Sequence, residues 1–221
     1  MIDRENPILC YVTDRRNLSV PAGGSAGSSL VAKIAAIAAA GVDWVQVREK
    51  DLSGRGLAAV TREAVARRSA ARIVVNDRVD VAISEGAGGV HLGESGLPVA
   101  EVVRWAGSRF SIRSSGAFLV GASCHSLEGA KTAARDGADY IFFGPVFATP
   151  SKTQFGGPQG VKKLAAVCKG VPVPVIAIGG ITLENAGECI AAGAAGIAAI
   201  RLFQDANDPA QIVSSLKKLR R

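Results

Sequence analysis

Aromatic residues make up only 5% of this 221-residue chain, and most of them fall inside apolar runs. The basic-aromatic interleaving on which nucleic-acid bases stack is therefore missing. Charged residues are also sparse at 20% against 48% hydrophobic, a balance too apolar for a disordered chain. No apolar run approaches the ~20 residues of a membrane span. The four cysteines, Cys10, Cys124, Cys168 and Cys189, are widely spaced and form no C-x-x-C pair, which argues against a structural zinc site. Met1 to Pro7 carries Asp3, Arg4 and Glu5, and the apolar stretch after it spans five residues, too short for a signal-peptide core. The expectation is a cytoplasmic protein with reduced thiols. What the chain does have is 26 Gly, an Ala/Val/Ile/Leu core and a net charge of +7, the last favouring anionic partners. No linker or composition shift divides it, so residues 1–221 read as a single domain.

Short apolar runs alternate with helical segments. Ile8 to Val12 is followed by a Gly/Ser-rich stretch, Ala22 to Ser29, and an Ala-rich helix, Leu30 to Ala40. Further strands are predicted near Trp44 to Arg48, Ile73 to Val75, Gly89 to Leu92, Phe118 to Ser123, Tyr140 to Phe143, Val173 to Ile178 and Gly196 to Ile200. Continuous rather than alternating apolar strands belong to a parallel sheet covered on both faces. About eight βα units at this length fit a (β/α)8 TIM barrel, an α/β fold, although a doubly wound sheet has the same local pattern.

In such folds the functional groups stand at the carboxyl ends of the strands. Strand two ends Gln46-Val47-Arg48-Glu49-Lys50-Asp51, and period-two alternation puts Gln46, Arg48 and Lys50 on one side, suited to a multiply charged phosphate. A salt-bridged strand end is the plainer alternative. Strand three ends Asn76-Asp77-Arg78, which could seat magnesium beside a substrate phosphate or cap the next helix. His91 and His125, the only histidines, close strands four and five, the latter beside Ser123. After strand six come Thr149, Pro150, Ser151 and Lys152 in a Gly/Pro-rich loop, and after strand seven Gly179-Gly180 precede a helix, where backbone can approach a phosphate. Strand eight ends Ile200-Arg201.

In order, Tyr11-Val12-Thr13-Asp14, Gln46 to Lys50, Asn76-Asp77-Arg78, Gly89 to Gly93, Gly121 to His125, Gly144 to Phe147 with Thr149 to Lys152, and Ile178 to Ile181 resemble the thiamine phosphate synthase family over nearly the whole chain. The resemblance implies a (β/α)8 barrel, a transferase of thiamine biosynthesis, and coupling of a pyrimidine pyrophosphate with a thiazole phosphate, or its carboxylated tautomer, to give thiamine phosphate and pyrophosphate. It places Gln46, Val47, Arg48, Glu49, Lys50, Asn76, Ser123 and Lys152 on the pyrimidine pyrophosphate, with Arg48, Lys50, Ser123 and Lys152 as the catalytic set. Asp77 falls on the magnesium position, and Thr149, Pro150, Ser151, Gly180, Ile200 and Arg201 fall on the thiazole phosphate positions.

Two departures stand out. The family's His-x-Gly-Gln-x-Asp reads His91-Leu92-Gly93-Glu94-Ser95-Gly96 here, so the second magnesium carboxylate is absent, and Glu94 is a substitute ligand in the same stretch. Arg201 stands where the family commonly has Ser. Such losses are also tolerated by thiazole tautomerases of the same fold, in which His125 would be the catalytic residue, and a non-catalytic phosphate-binding barrel is a third reading. Partners are expected to be phosphorylated small molecules rather than nucleic acid or membrane, with homo-oligomerisation open.

Overall fold

Every residue of Ile8–Val12, Trp44–Val47, Gly89–Leu92, Tyr140–Phe143 and Gly196–Ala199 is buried, as strands covered on both faces must be. The computed structural model describes residues 6–18, 25–109, 118–149 and 157–220. Its strands are β1 (Ile8–Val12), β2 (Trp44–Val47), β3 (Arg72–Asn76), β4 (Gly89–Leu92), β5 (Leu119–Cys124), β6 (Tyr140–Phe143), β7 (Val175–Ile178) and β8 (Gly196–Ala199). They pair in chain order, all parallel, and β8 returns to β1 to close the barrel. The helices among the described residues are α1 (Ala26–Ala39), α2 (Gly54–Ala66), α3 (Val79–Ser84), α4 (Val99–Arg109), α5 (Leu127–Arg135), α6 (Gly160–Gly170), α7 (Leu183–Ala191), α8 (Arg201–Gln204) and α9 (Pro209–Lys217). None of them is long and apolar enough to cross a membrane.

Closure settles the choice between barrel and open sheet that local pattern leaves open. Strand alternation then divides the core in two. Leu9, Tyr11, Val45, Val47, Ile73 and Val75 face outward and pack with the helices. Ile8, Cys10, Val12, Trp44, Tyr140, Phe142 and Ile176 face inward and fill the barrel. Rings stack within it: the Trp44 and Tyr140 rings lie 4.7 Å apart and the His91 and Phe142 rings 4.2 Å. Each such pair contributes roughly 0.5–1.5 kcal/mol beyond its buried area. All four cysteines are thiols, and burial, aided by the Glu94 charge, pushes Cys124 up to about 11.

Several boundaries differ from expectation for local reasons. α1 begins at Ala26 rather than Leu30, because Ser25 and Ser28 bond each other's backbone N–H in a capping box that recruits the Gly/Ser stretch into the helix. β7 begins at Val175 rather than Val173, since Pro174 has no N–H for a ladder; its carbonyl still accepts from Ile141 N at 2.9 Å. β2 stops at Val47 and β8 at Ala199, one residue earlier than expected in each case.

Candidate active site

The carboxyl ends of β2, β3 and β4 are joined by a chain of polar side chains. Gln46, buried inside the barrel, donates through Nε2 to Asn76 Oδ1 at 3.0 Å, and Asn76 Nδ2 donates to Asp77 Oδ2 at 2.7 Å. Asp77 Oδ1 accepts from Gly93 N at 2.7 Å. Asp77 has φ +60, a left-handed conformation that aspartate tolerates better than most residues, and this aims its carboxylate at the β4 loop. The helix-cap alternative for Asn76-Asp77 therefore fails: Arg78 is the N-cap residue of α3, and no side chain caps it. Gly93 and Gly96 wrap the carboxylate so closely that a Cβ at Gly96 would sit 3.0 Å from Asp77 Oδ1.

A cavity of about 270 Å³ opens beside this chain, lined by Glu49, Lys50, Leu52, Leu57, Asn76, Asp77 and Arg78. Lys50 is exposed at its edge and Arg48 is half-buried, whereas Val47 is sealed in the outer core, leaving only its backbone toward the mouth. Glu49 has a different task. Its buried carboxylate accepts from Thr13 Oγ1 at 2.6 Å and from Arg15 N at 3.2 Å, while Thr13 Oγ1 in turn accepts from Arg48 N at 2.9 Å. The Arg15 guanidinium lies 3.7 Å from Glu49 and also pairs with Asp51. Burial raises the Glu49 pKa above the ordinary glutamate value, opposed by the Thr13 and Arg15 hydrogen bonds.

On β4 and β5, His91 is buried between Ser123 Oγ, 2.9 Å from Nε2, and the Tyr140 hydroxyl, 3.2 Å from Nδ1. It orients Ser123 from beneath and does not open to solvent. His125 is half-buried, its Nδ1 bonded to the Gly144 carbonyl and its Nε2 3.7 Å from Glu94 Oε2. Glu94 thus faces His125, while its neighbour Gly93 serves Asp77.

The opposite rim is made of main chain. Val146 N donates to Ile178 O at 2.9 Å and Phe147 N to Gly179 O at 3.0 Å, stitching the β6 loop to the end of β7. A Cβ at Gly144 would lie 2.0 Å from Ile178 O, and one at Gly180, where φ is +65, would lie 2.4 Å from Ala148 O. Glycine is needed at both positions by this loop packing before any ligand is considered. Ile200 packs on the interior cluster and Arg201 is exposed at the start of α8; Thr149 is half-buried. Pro150, Ser151 and Lys152 lie outside the described residues.

Composition and spacing missed Arg15, Glu49 as a latch, and Gln204, which accepts from Tyr11 OH at 2.8 Å and donates to Asp14 O at 3.0 Å. The stretch Tyr11 to Asp14 was the available signal, but its partners lie in distant parts of the chain.

The chain is similar to known proteins over nearly its whole length. Residues 10–203 match the family described as thiamine monophosphate synthase. The chain is 40% identical over 214 residues to the thiamine-phosphate synthase of Chloroflexus aurantiacus, covering 96% of this chain and 95% of that one. It is 43% identical over 182 residues to the thiamine-phosphate synthase of Methanoculleus marisnigri, covering 81% and 82%. Among solved structures, thiamine phosphate pyrophosphorylase from Pyrococcus furiosus superposes with a TM-score of 0.76 at 30% identity, covering 96% of this chain and 94% of that one.

Proposed function

The chain belongs to the thiamine monophosphate synthase family, and from that premise we propose that its barrel mouth joins a pyrimidine pyrophosphate to a thiazole phosphate, releasing pyrophosphate. The observation that carries the site assignment is the cavity in which Lys50 meets the Gln46-Asn76-Asp77 chain, because it sets a cation and a fixed carboxylate around one space. In the reaction, the bond from the exocyclic methylene to the diphosphate oxygen breaks and its electron pair leaves with pyrophosphate. The aminopyrimidine shares the positive charge left on the methylene, and the thiazole nitrogen closes the new C–N bond with its lone pair. No protein nucleophile is required. The protein's tasks are to stabilise the departing anion and to align the second substrate.

Lys50 and Arg48 are assigned to the leaving group, joined by Lys152 from the β6 loop. Gln46 and Asn76, locked to each other, hold the pyrimidine side, with Ser123 oriented by His91. The Gly180 main chain, Ile200, Arg201 and residues 149–151 are assigned to the thiazole phosphate. Magnesium fits the donor chemistry: Asp77 supplies a carboxylate fixed by two hydrogen bonds, and magnesium commonly combines one or two carboxylates with substrate phosphate and water. It would neutralise charge on the leaving pyrophosphate. Glu94 is the second carboxylate assigned to it, at the cost of its present approach to His125. The four thiols accord with a cytoplasmic setting.

The test is turnover with purified protein, pyrimidine pyrophosphate and either thiazole phosphate tautomer, with and without magnesium, following thiamine phosphate by chromatography. Magnesium-dependent product is expected. Isomerisation of the thiazole without coupling would transfer the assignment to a tautomerase centred on His125, and binding of both substrates with neither reaction would leave only a binding barrel. Run alongside, Glu94→Gln should raise the magnesium concentration needed for half-maximal rate; an unchanged requirement would remove Glu94 from the metal.

A further inference from the structure

Of the polar residues lining the cavity, Arg78 is the one to which the reading above gives no role. Its guanidinium is held on one edge by Asp80, through Nε to Oδ1 at 2.8 Å and Nη2 to Oδ2 at 2.5 Å. Nη1 has no hydrogen-bond acceptor among the described residues. The pair is exposed, 42% and 65% for the two side chains, where an ion pair adds little to stability. The fork is thus oriented at small energetic return, beside a lysine and a carboxylate already facing the same space.

The start of α2 leaves space for it. Gly54 is the first residue of α2, and a Cβ there would lie 2.9 Å from Arg78 Nη2 and 3.3 Å from Nη1. The glycine is not required by the helix, in which alanine is the better former, nor by the cap, which Ser53 provides by accepting from Gly56 N. What it leaves is room for the Arg78 guanidinium.

We propose that Arg78 is a further substrate-binding residue of this site, fixed by Asp80 and accommodated by Gly54, whose Nη1 edge binds the diphosphate between Lys50 and Asp77. The inference rests on the diphosphate reading of the cavity. A planar fork beside a point charge recognises two linked phosphoryl groups better than one, so Arg78 would favour diphosphate over monophosphate.

The experiment is calorimetric titration of inorganic pyrophosphate and of orthophosphate into the wild type, Arg78→Gln, Arg78→Lys, Gly54→Ala and Lys50→Ala in magnesium buffer, with steady-state kinetics for each. Arg78→Gln should weaken pyrophosphate binding about ten-fold and orthophosphate much less, with Arg78→Lys between it and the wild type. Gly54→Ala, which keeps every charge but crowds the fork, should weaken pyrophosphate several-fold while retaining the wild-type melting temperature. KM should rise for the pyrimidine pyrophosphate and stay constant for the thiazole phosphate. Wild-type affinity in Arg78→Gln alongside loss in Lys50→Ala would overturn the role of Arg78; unchanged affinity in both would overturn the cavity as a phosphate site. A wild type that binds pyrophosphate but makes no thiamine phosphate would defeat the proposed reaction, and the affinity series would still decide Arg78.

Discussion

The two rims of the barrel mouth are built from different material. At the ends of β2 and β3, side chains reach one another through Gln46, Asn76 and Asp77, and the Gly93 N–H joins that chain to the end of β4. At the ends of β6 and β7, the backbone itself makes the contact, with Gly144 and Gly180 pressed against carbonyl oxygens of the neighbouring segment. A rim of side chains can be altered one functional group at a time, because each group projects from a strand end that the core holds in place. A rim of main chain has no such freedom, since any added atom displaces the loop.

That contrast can be broken most severely at Gly144. Gly144→Ala would put a Cβ 2.0 Å from Ile178 O, and the loss should be about 3 kcal/mol or more, roughly 10 °C in melting temperature, with activity falling in parallel. A variant as stable as the wild type would show that the β6 loop has slack. Asp77→Asn probes the other rim, because asparagine also tolerates the left-handed backbone. There kcat/KM should drop roughly 100-fold while the melting temperature stays within about 2 °C of wild type; equal damage to fold and activity would erase the distinction between the rims.

The smallest expected effect is at Glu49, which joins the β1 loop to the β2 end through Thr13 and Arg15. Its folded pKa is raised above the ordinary 4.5 by burial, so between those two values the native state keeps a proton that the unfolded chain releases. Wild-type stability from this group therefore falls as pH rises through that interval. Denaturant melts across it should show Glu49→Gln lacking this descent. If the two proteins keep parallel pH profiles, the hydrogen bonds to the carboxylate cancel its burial.

Sequence carried the strands well because each is built around short apolar stretches buried in the sheet, a signal contained within four to six residues. It was weaker wherever the deciding partner is remote. Nothing adjacent to Glu49 reveals that Thr13 and Arg15 will claim it, and without that knowledge it reads as one more charge in a phosphate-binding strand end. Asp77 by itself read more readily as a cap for α3 than as a metal ligand, and what turns its carboxylate away from that cap is Gly93 N, just past the next strand. Gly179-Gly180 were legible as a close approach, but the neighbours in contact are Pro145 for Gly179 and the Phe147-Ala148 main chain for Gly180.

The seam between β1 and β8 also bears on the order in which the protein is assembled. Ile8 aligns with Gly196 and Tyr11 with Ala199, and the Tyr11 hydroxyl bonds to Gln204, 193 positions away. While the chain emerges from the ribosome, β1 can pair on one edge only; its other edge waits for nearly the whole polypeptide. Until then the nascent sheet presents an open apolar border of the kind that recruits chaperones or other unfinished chains. Closing the ring is thus a late, long-range event, and the same ladder that leaves the finished barrel without an edge makes the unfinished one adhesive.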